Sequence, residues 1–195
     1  MNFGIVVEDL RDAEAYSQLI LKIRNEVETV VVPYPCHGNS TLRKQFVKGL
    51  KFFKWYAPGS PHAIGKALVI VDSDCCDSSV WEESLAEILD RSHFDPGFPV
   101  HFHATKCELE SWLLADENAL TMASQHRGKN KRLGPANISF ETYRGAKELF
   151  QRRLLEAGLP NTPQVYKEIA TYAEIERIAT RCPRFKHFTD KVCEC

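Results

Sequence analysis

Residues 2–7, NFGIVV, are apolar apart from Asn2, whereas the following stretch DAEAYSQLILKIRNEV (12–27) is mixed, with Ala15, Leu19, Ile20 and Ile23 at helical spacing. That change of period predicts a buried strand followed by an amphipathic helix. The alternation repeats down the chain. TVVVPYP (29–35) reads as a second strand, and TLRKQFVKGLKFFKWY (41–56) as a second helix with Ser40 as its N-cap. APGSPHAIG (57–65) is a loop by its Pro and Gly content, ALVIV (67–71) a third strand, 78–90 a third helix, FDPGFP (94–99) a turn and VHFHA (100–104) a fourth strand. CELESWLLADENALTMAS (107–124) reads as one helix and QHRGKNKRLGP (125–135) as a polar, basic loop. From Ser139 the pattern is helical in three pieces, broken at Gly158-Leu159-Pro160 and at Cys182-Pro183.

Alternating strands and helices predict an α/β fold, a parallel sheet flanked by helices with right-handed crossovers. The expected organisation is a core over residues 1–125, with the basic loop and a helical C-terminal extension, 126–195, packed on it. A length of 195 residues suits one such domain. Hydrophobic residues at 44%, charged residues at 26% and a formal net charge of -1 exclude a disordered chain and a uniformly basic coat, so any basic surface is local. No apolar run reaches the ~20 residues needed to span a bilayer, and MNFGIVVEDL lacks a signal-peptide pattern, so a cytoplasmic protein without membrane contact is expected. Seven scattered cysteines do not look like a secreted disulfide framework, and reduced thiols are expected. The groups Cys36/His37, His101/His103/Cys107 and Cys193/Cys195 lack the paired spacing of a structural zinc site.

The chemistry-bearing residues gather at strand ends. Leu68, Val69, Ile70 and Val71 run straight into Asp72, Asp74 and Asp77. A strand covered on both faces delivers polar residues at its carboxyl end, the edge where open α/β sheets bind ligands. Asp77, before SSVWEESLAEIL, suits the N-cap of the next helix. Glu8 ends the first strand as Asp72 and Asp74 end the third, so all three face one edge and can share a cation. Asp12 lies within reach of Glu8 once a helix has begun, and Glu108 and Glu110 follow the fourth strand at the same edge. Hard oxygen ligands of this kind suit magnesium or manganese. The plain alternative for Glu8 is a first-turn charge favoured by the helix dipole.

These residues carry a family resemblance. IVVEDLRDAEAY resembles the first Toprim motif, and LVIVDSD its aspartate pair. KCELESWLLADENAL is similar to the Glu-Leu-Glu-x-Trp-Leu-Leu-Ala-Asp signature of a bacterial Toprim-like family of unknown function, and YKEIA and CPRFKHF resemble that family's C-terminal segments. The family is related to OLD-type nucleases, and its members often accompany AAA or SMC-like ATPases in phage-defence gene clusters. The resemblance implies that Glu8, Asp72 and Asp74 hold magnesium, that Asp12 matches the second acidic position, and that Glu108 or Glu110 holds a second ion. Where the family pattern has Glu-Gly, this chain has Glu8-Asp9; the missing glycine bears on close backbone approach, not on the carboxylate.

The activity so implied is a magnesium- or manganese-dependent nuclease acting on DNA or RNA, the effector of an ATPase-linked defence system. Glu8, Asp72, Asp74 and Lys106 are its candidate catalytic residues, with Lys129 and Lys131 as further cations for transition-state charge. Lys44, Lys48 and Lys51 recur at helical spacing beside Arg43 and Lys54, with Phe52, Phe53 and Trp55 interleaved; together with Lys129, Lys131 and Arg132 they are the candidate nucleic-acid contacts. The plain alternative is an amphipathic helix with core aromatics and solvated lysines. Other readings stay open: a non-catalytic subunit seated on an ATPase, or a haloacid-dehalogenase-type phosphatase with Asp72 as nucleophile, for which no acidic motif follows Asp116. A metal-dependent glycosyltransferase has no support beyond Asp-x-Asp. Leu109, Trp112 and Leu113 read as core, and the C-terminal segment bearing Arg177, Arg181, Arg184 and Lys186 as a docking or gating extension.

Overall fold

The computed structural model describes residues 1–194, so Cys195 of the Cys193/Cys195 group lies outside the described residues. In chain order the elements are β1 (Phe3–Val7), α1 (Leu10–Arg24), β2 (Val31–Pro35), α2 (Asn39–Trp55), β3 (Lys66–Asp72), α3 (Ser78–Arg91) and β4 (Val100–Thr105), then α4 (Leu109–Leu114), α5 (Glu117–His126), α6 (Ala146–Ala157), α7 (Pro163–Tyr172), α8 (Ile175–Arg181) and α9 (Pro183–Cys193). The strands form one parallel sheet in the order β2-β1-β3-β4. This is the predicted α/β architecture with helices on both faces and a helical C-terminal part. Among the described residues, no helix is long and apolar enough to cross a membrane.

Both faces of the sheet are covered, which is why its strands read as continuous apolar runs. Phe3, Ile5 and Val7 of β1 with Leu68 and Ile70 of β3 face a core shared with α1, α4, α5 and the C-terminal helices. Val6, Ala67, Val69 and Val71 face the opposite core, closed by Leu42, Phe46, Leu50 and Phe53 of α2 and Leu85 of α3. Strand side chains alternate, so Asp72 shares its side with Leu68 and Ile70 and opens toward α1 and α4.

Helix α2 lies very close to the sheet. A Cβ at Gly4 would stand 2.5 Å from the Phe53 ring, and one at Gly49 would stand 2.9 Å from Tyr34 and Val6. Gly4→Ala is therefore expected to cost about 1–3 kcal/mol through overpacking. The readout is a lower denaturant midpoint at unchanged slope; a wild-type midpoint would show that Phe53 yields freely.

Three boundaries differ from the pattern, each for a local reason. Ser40 is not the N-cap of α2: the helix begins at Asn39, because the Gly38 N–H donates to the Glu8 carbonyl (2.9 Å) and the Asn39 side chain to the Asp72 carbonyl (3.2 Å). The expected helix over 107–124 is two helices, because the buried Asp116 carboxylate accepts from the N–H groups of Asn118 (3.1 Å) and Ala119 (3.4 Å) and starts α5. Its other oxygen accepts from the Glu174 N–H at 2.7 Å, at the start of α8, so the three expected C-terminal pieces become four. A capping carboxylate outweighs periodicity in both places.

The C-terminal helices belong to the core. Phe185, Phe188 and Val192 are buried, and Trp112 packs edge-on against Phe185 (4.8 Å) and Tyr16 (5.9 Å). The arginines expected to dock or gate are engaged internally. Arg177 pairs with Glu117 and Glu174, Arg181 reaches Glu117 and the Ala115 carbonyl (both 2.6 Å), and Arg184 pairs with Glu82. Leu109, Trp112 and Leu113 are core, as read from the sequence.

Candidate acidic site at the carboxyl edge of the sheet

From β1 the chain moves outward to β2, then crosses back to β3 and outward again to β4, so the strand order reverses between β1 and β3. Loops diverge at such a point and leave a crevice beyond the strand ends. Glu8 follows β1 and Asp72 ends β3, which sets both carboxylates there. The Asp72 N–H donates to Glu8 Oε1 at 3.1 Å, fixing the glutamate against the neighbouring strand.

Asp9 has a structural task. Its carboxylate accepts from the N–H groups of Arg11 (2.7 Å) and Asp12 (3.1 Å), and Asp12 Oδ2 accepts in return from the Asp9 N–H (3.2 Å). This reciprocal cap starts α1 and fixes the orientation of Asp12. Asp9 has φ −143°, extended backbone open to any residue, so glycine's freedom is not required.

The charges on this edge work against one another. Burial raises the Asp72 pKa well above the usual carboxylate range, and Asp12, Glu8, Glu110 and Glu108 raise it further. Burial does the same at Asp12, reinforced by Asp9, Glu110 and Glu8. Glu8 is pushed up to about 7 by burial and by Asp74, against the lowering effects of the Asp72 N–H and Lys147. Glu108 is raised by burial and by Glu110, while its Oε2 accepts the Lys147 N–H at 2.9 Å. Glu110, 4% exposed, accepts from the Tyr166 hydroxyl at 2.8 Å. The Asp72 carboxylate accepts no hydrogen bond from any described residue.

The structure thus brings Glu8, Asp12, Asp72, Glu108 and Glu110 together. Asp74 is instead exposed at the rim, at φ 49°, with its charge reaching Glu8 and its N–H donating to the Cys107 carbonyl at 3.1 Å. Asp77 caps α3 through the Ser79 N–H (3.0 Å), as expected. Among the described residues, no three His, Cys, Asp or Glu side chains form a ready-made metal cage. The lysine among the carboxylates is Lys147 of α6. Burial alone would lower its pKa, but Glu110, Glu108 and Asp72 hold it above the usual value. Lys106, the sequence candidate, donates to the Cys76 carbonyl at 2.6 Å and acts on Asp77. Sequence reasoning also passed over Tyr16, whose buried hydroxyl bonds Thr105 (2.7 Å) beside Asp72 and Asp12, and Arg11, 5.8 Å above the Tyr166 ring.

Lys44, Lys48 and Lys51 are exposed on α2, whereas Phe53 is core. Lys129, Lys131 and Arg132 are exposed on a segment whose Lys129 and Lys131 N–H groups are held by Ser124. The expectation of reduced thiols is corrected at one pair. Cys75 and Cys107 form a disulfide, their loops already held side by side by the Asp74 N–H to Cys107 bond, while Cys36, Cys76, Cys182 and Cys193 are free.

The chain belongs to the family described as Domain of unknown function (DUF4276). The match runs over residues 18–192, which takes in Asp72, Asp74, Glu108, Glu110 and Lys147 and starts after Glu8 and Asp12. Among curated proteins, no sequence matches the chain. Solved structures of the C-terminal region of the Xanthomonas campestris pv. campestris OLD protein are similar to it. The iodine-phased one is 12% identical with a TM-score of 0.47, covering 97% of this chain and 95% of that one. The platinum-phased one is 13% identical at 0.44, covering 97% and 93%, and the mercury-phased one 14% identical at 0.42, covering 97% and 95%.

Proposed function

We propose that this chain hydrolyses phosphodiester bonds in nucleic acid with a divalent cation, magnesium or manganese, held by Glu8, Asp12 and Asp72, with Glu108 and Glu110 behind them and Asp74 at the rim. One observation carries the reading: the Asp72 carboxylate is offered no hydrogen-bond donor and has four carboxylate neighbours. Folding alone gains nothing from collecting like charges out of water, so such a group implies a positively charged occupant. All the donors are hard oxygens, which fits magnesium or manganese and not a soft metal.

When bound, such a cation supplies Lewis acidity toward a phosphoryl oxygen. The chain's own residues do the rest. Glu8, with Oε1 held by the Asp72 N–H, keeps its other carboxylate oxygen for the cation. Lys147 and Arg11 offset the negative charge that a phosphate brings to an already acidic edge. Tyr166 and the Asp9 cap hold Glu110 and Asp12 in place. The partner is an AAA or SMC-like ATPase and the setting phage defence; both come from the sequence resemblance.

The test incubates the purified chain with plasmid, single-stranded DNA and transfer RNA in magnesium or manganese, alone and with any AAA or SMC-like ATPase found in the adjacent genes. Cleavage abolished by a chelator, and lowered about 10²- to 10³-fold by Asp72→Asn, is the expected result. Intact substrates in every arm would sink the proposal and leave the non-catalytic subunit as the better account.

A further inference from the structure

Helix α2 carries Arg43, Lys44, Lys48, Lys51 and Lys54 and no acidic residue from Asn39 to Trp55, in a chain whose formal net charge is -1. Its buried side is Leu42, Phe46, Gly49, Leu50 and Phe53. On the opposite side Lys44, Lys48, Lys51 and Trp55 follow one another at i, i+4, i+7 and i+11, which makes a single stripe. All four are exposed, Trp55 to 73%.

Neighbouring cations have partners within the fold. Arg43 donates to Ser84 and lies 5.3 Å from the Trp81 ring, and Lys54 donates to the Asp95 carbonyl. Lys44 and Lys48 have no ion pair or hydrogen bond among the described residues. Lys51 lies 5.5 Å from the Phe94 ring but is exposed. Two unpaired lysines and a third beside a ring, ending in a solvent-facing indole, gain little for the folded chain by themselves, because an apolar ring of that size is stabilised by burial. The stripe also has a direction. The first turn of α2 is fixed to the acidic edge through the Gly38 N–H to the Glu8 carbonyl and the Asn39 side chain to the Asp72 carbonyl.

We propose that this stripe is a track for single-stranded nucleic acid leading to the acidic edge, with lysines against successive phosphates and Trp55 stacked on an unpaired base. The proposal rests on the hydrolysis reading only for what happens at the end of the track. From Lys44 to Trp55 the helix rises ~16 Å at 1.5 Å per residue, room for about five phosphates at the stacked-strand spacing. A row of cations without acids complements a polyanion, and a stacking ring needs a base face that a duplex hides. Both features select a single strand over a duplex or an acidic protein.

The test is fluorescence anisotropy in a chelator, so that nothing is cut, with labelled 12-nucleotide dT and U strands and a duplex of the same length across a salt series. Single strands, of either sugar, are expected to bind more tightly than the duplex. Lys44→Glu with Lys48→Glu should weaken binding more than tenfold at low salt and flatten the salt slope by roughly 1.4, about 0.7 for each phosphate that is no longer neutralised. Trp55→Ala should weaken it about tenfold with the slope unchanged. All three positions are exposed, so circular dichroism should match wild type. Duplex preference, unchanged affinity in both variants, or equal competition by poly-glutamate overturns the track. Stripe-dependent binding with no cleavage in magnesium upholds the track and removes the hydrolysis reading, whereas cleavage indifferent to the stripe does the reverse.

Discussion

Asp72→Asn is expected to make the metal-free protein more stable, on the order of 1–2 kcal/mol at pH 8, and to remove its response to magnesium. Most core or semi-buried polar substitutions do the opposite. The reversal follows from the surroundings of Asp72: its carboxylate accepts no hydrogen bond from a described residue, so asparagine loses no partner, and repulsion from Asp12, Glu8, Glu110 and Glu108 disappears. Magnesium acts on the wild type by mass action. At one hundred times its dissociation constant it adds about 2.7 kcal/mol, worth roughly 5–10 °C in Tm for a chain of this size. The measurement is a pair of thermal melts, wild type and Asp72→Asn, each with and without magnesium. Equal responses of the two proteins would make Asp72 an ordinary strand-end residue, and a less stable mutant would mean that the carboxylate has a favourable partner.

The sequence exposed the frame of this site and hid its far wall. Continuous apolar runs marked β1 and β3, and the rule that parallel strands present their carboxyl ends to one edge placed Glu8 and Asp72 together on pattern alone. Both depend on short-range pattern and a single topology. The position of Asp74 was not legible, because it turns on a residue at φ 49° bound to the Cys107 carbonyl, a contact between loops 33 positions apart in numbering. Lys147 was missed for a related reason. It sits on α6, and nothing in the AKELFQRRLLEA pattern says which edge of the sheet that helix reaches. Asp116 read as part of a signature but is a double cap holding α5 and α8, so a motif residue can owe its place to architecture. The aromatics of α2 were divided by geometry: Phe53 went to the core and Trp55 to solvent.

The metal-free protein is expected to lose stability as pH rises from about 4.5 to above 7, through Glu8. Burial and Asp74 raise its folded pKa from 4.5 to about 7. A carboxyl group whose pKa is higher folded than unfolded binds its proton more tightly in the native state, so its contribution is complete below the unfolded value and is lost as pH passes through the folded one. The size is on the order of 2–3 kcal/mol. His103 works in the opposite direction over an overlapping range. It is buried, and burial together with Lys191, Arg184 and His187 lowers its pKa well below 6.5, so its protonation opposes folding as pH falls under that value. A single pH profile therefore mixes Glu8 and its neighbours Asp12 and Asp72, which burial raises in the same direction, with His103. The difference in unfolding free energy between wild type and Glu8→Gln cancels the histidine and reports the glutamate together with its repulsion of Asp12 and Asp72. In a chelator, that difference should change by about 2–3 kcal/mol between pH 4.5 and 8, with the variant gaining relative to wild type as pH rises. Saturating magnesium should reverse the order at pH 8, because the cation turns the same repulsion into binding. A difference that stays flat with pH would place Glu8 in ordinary solvent and remove it from the acidic site.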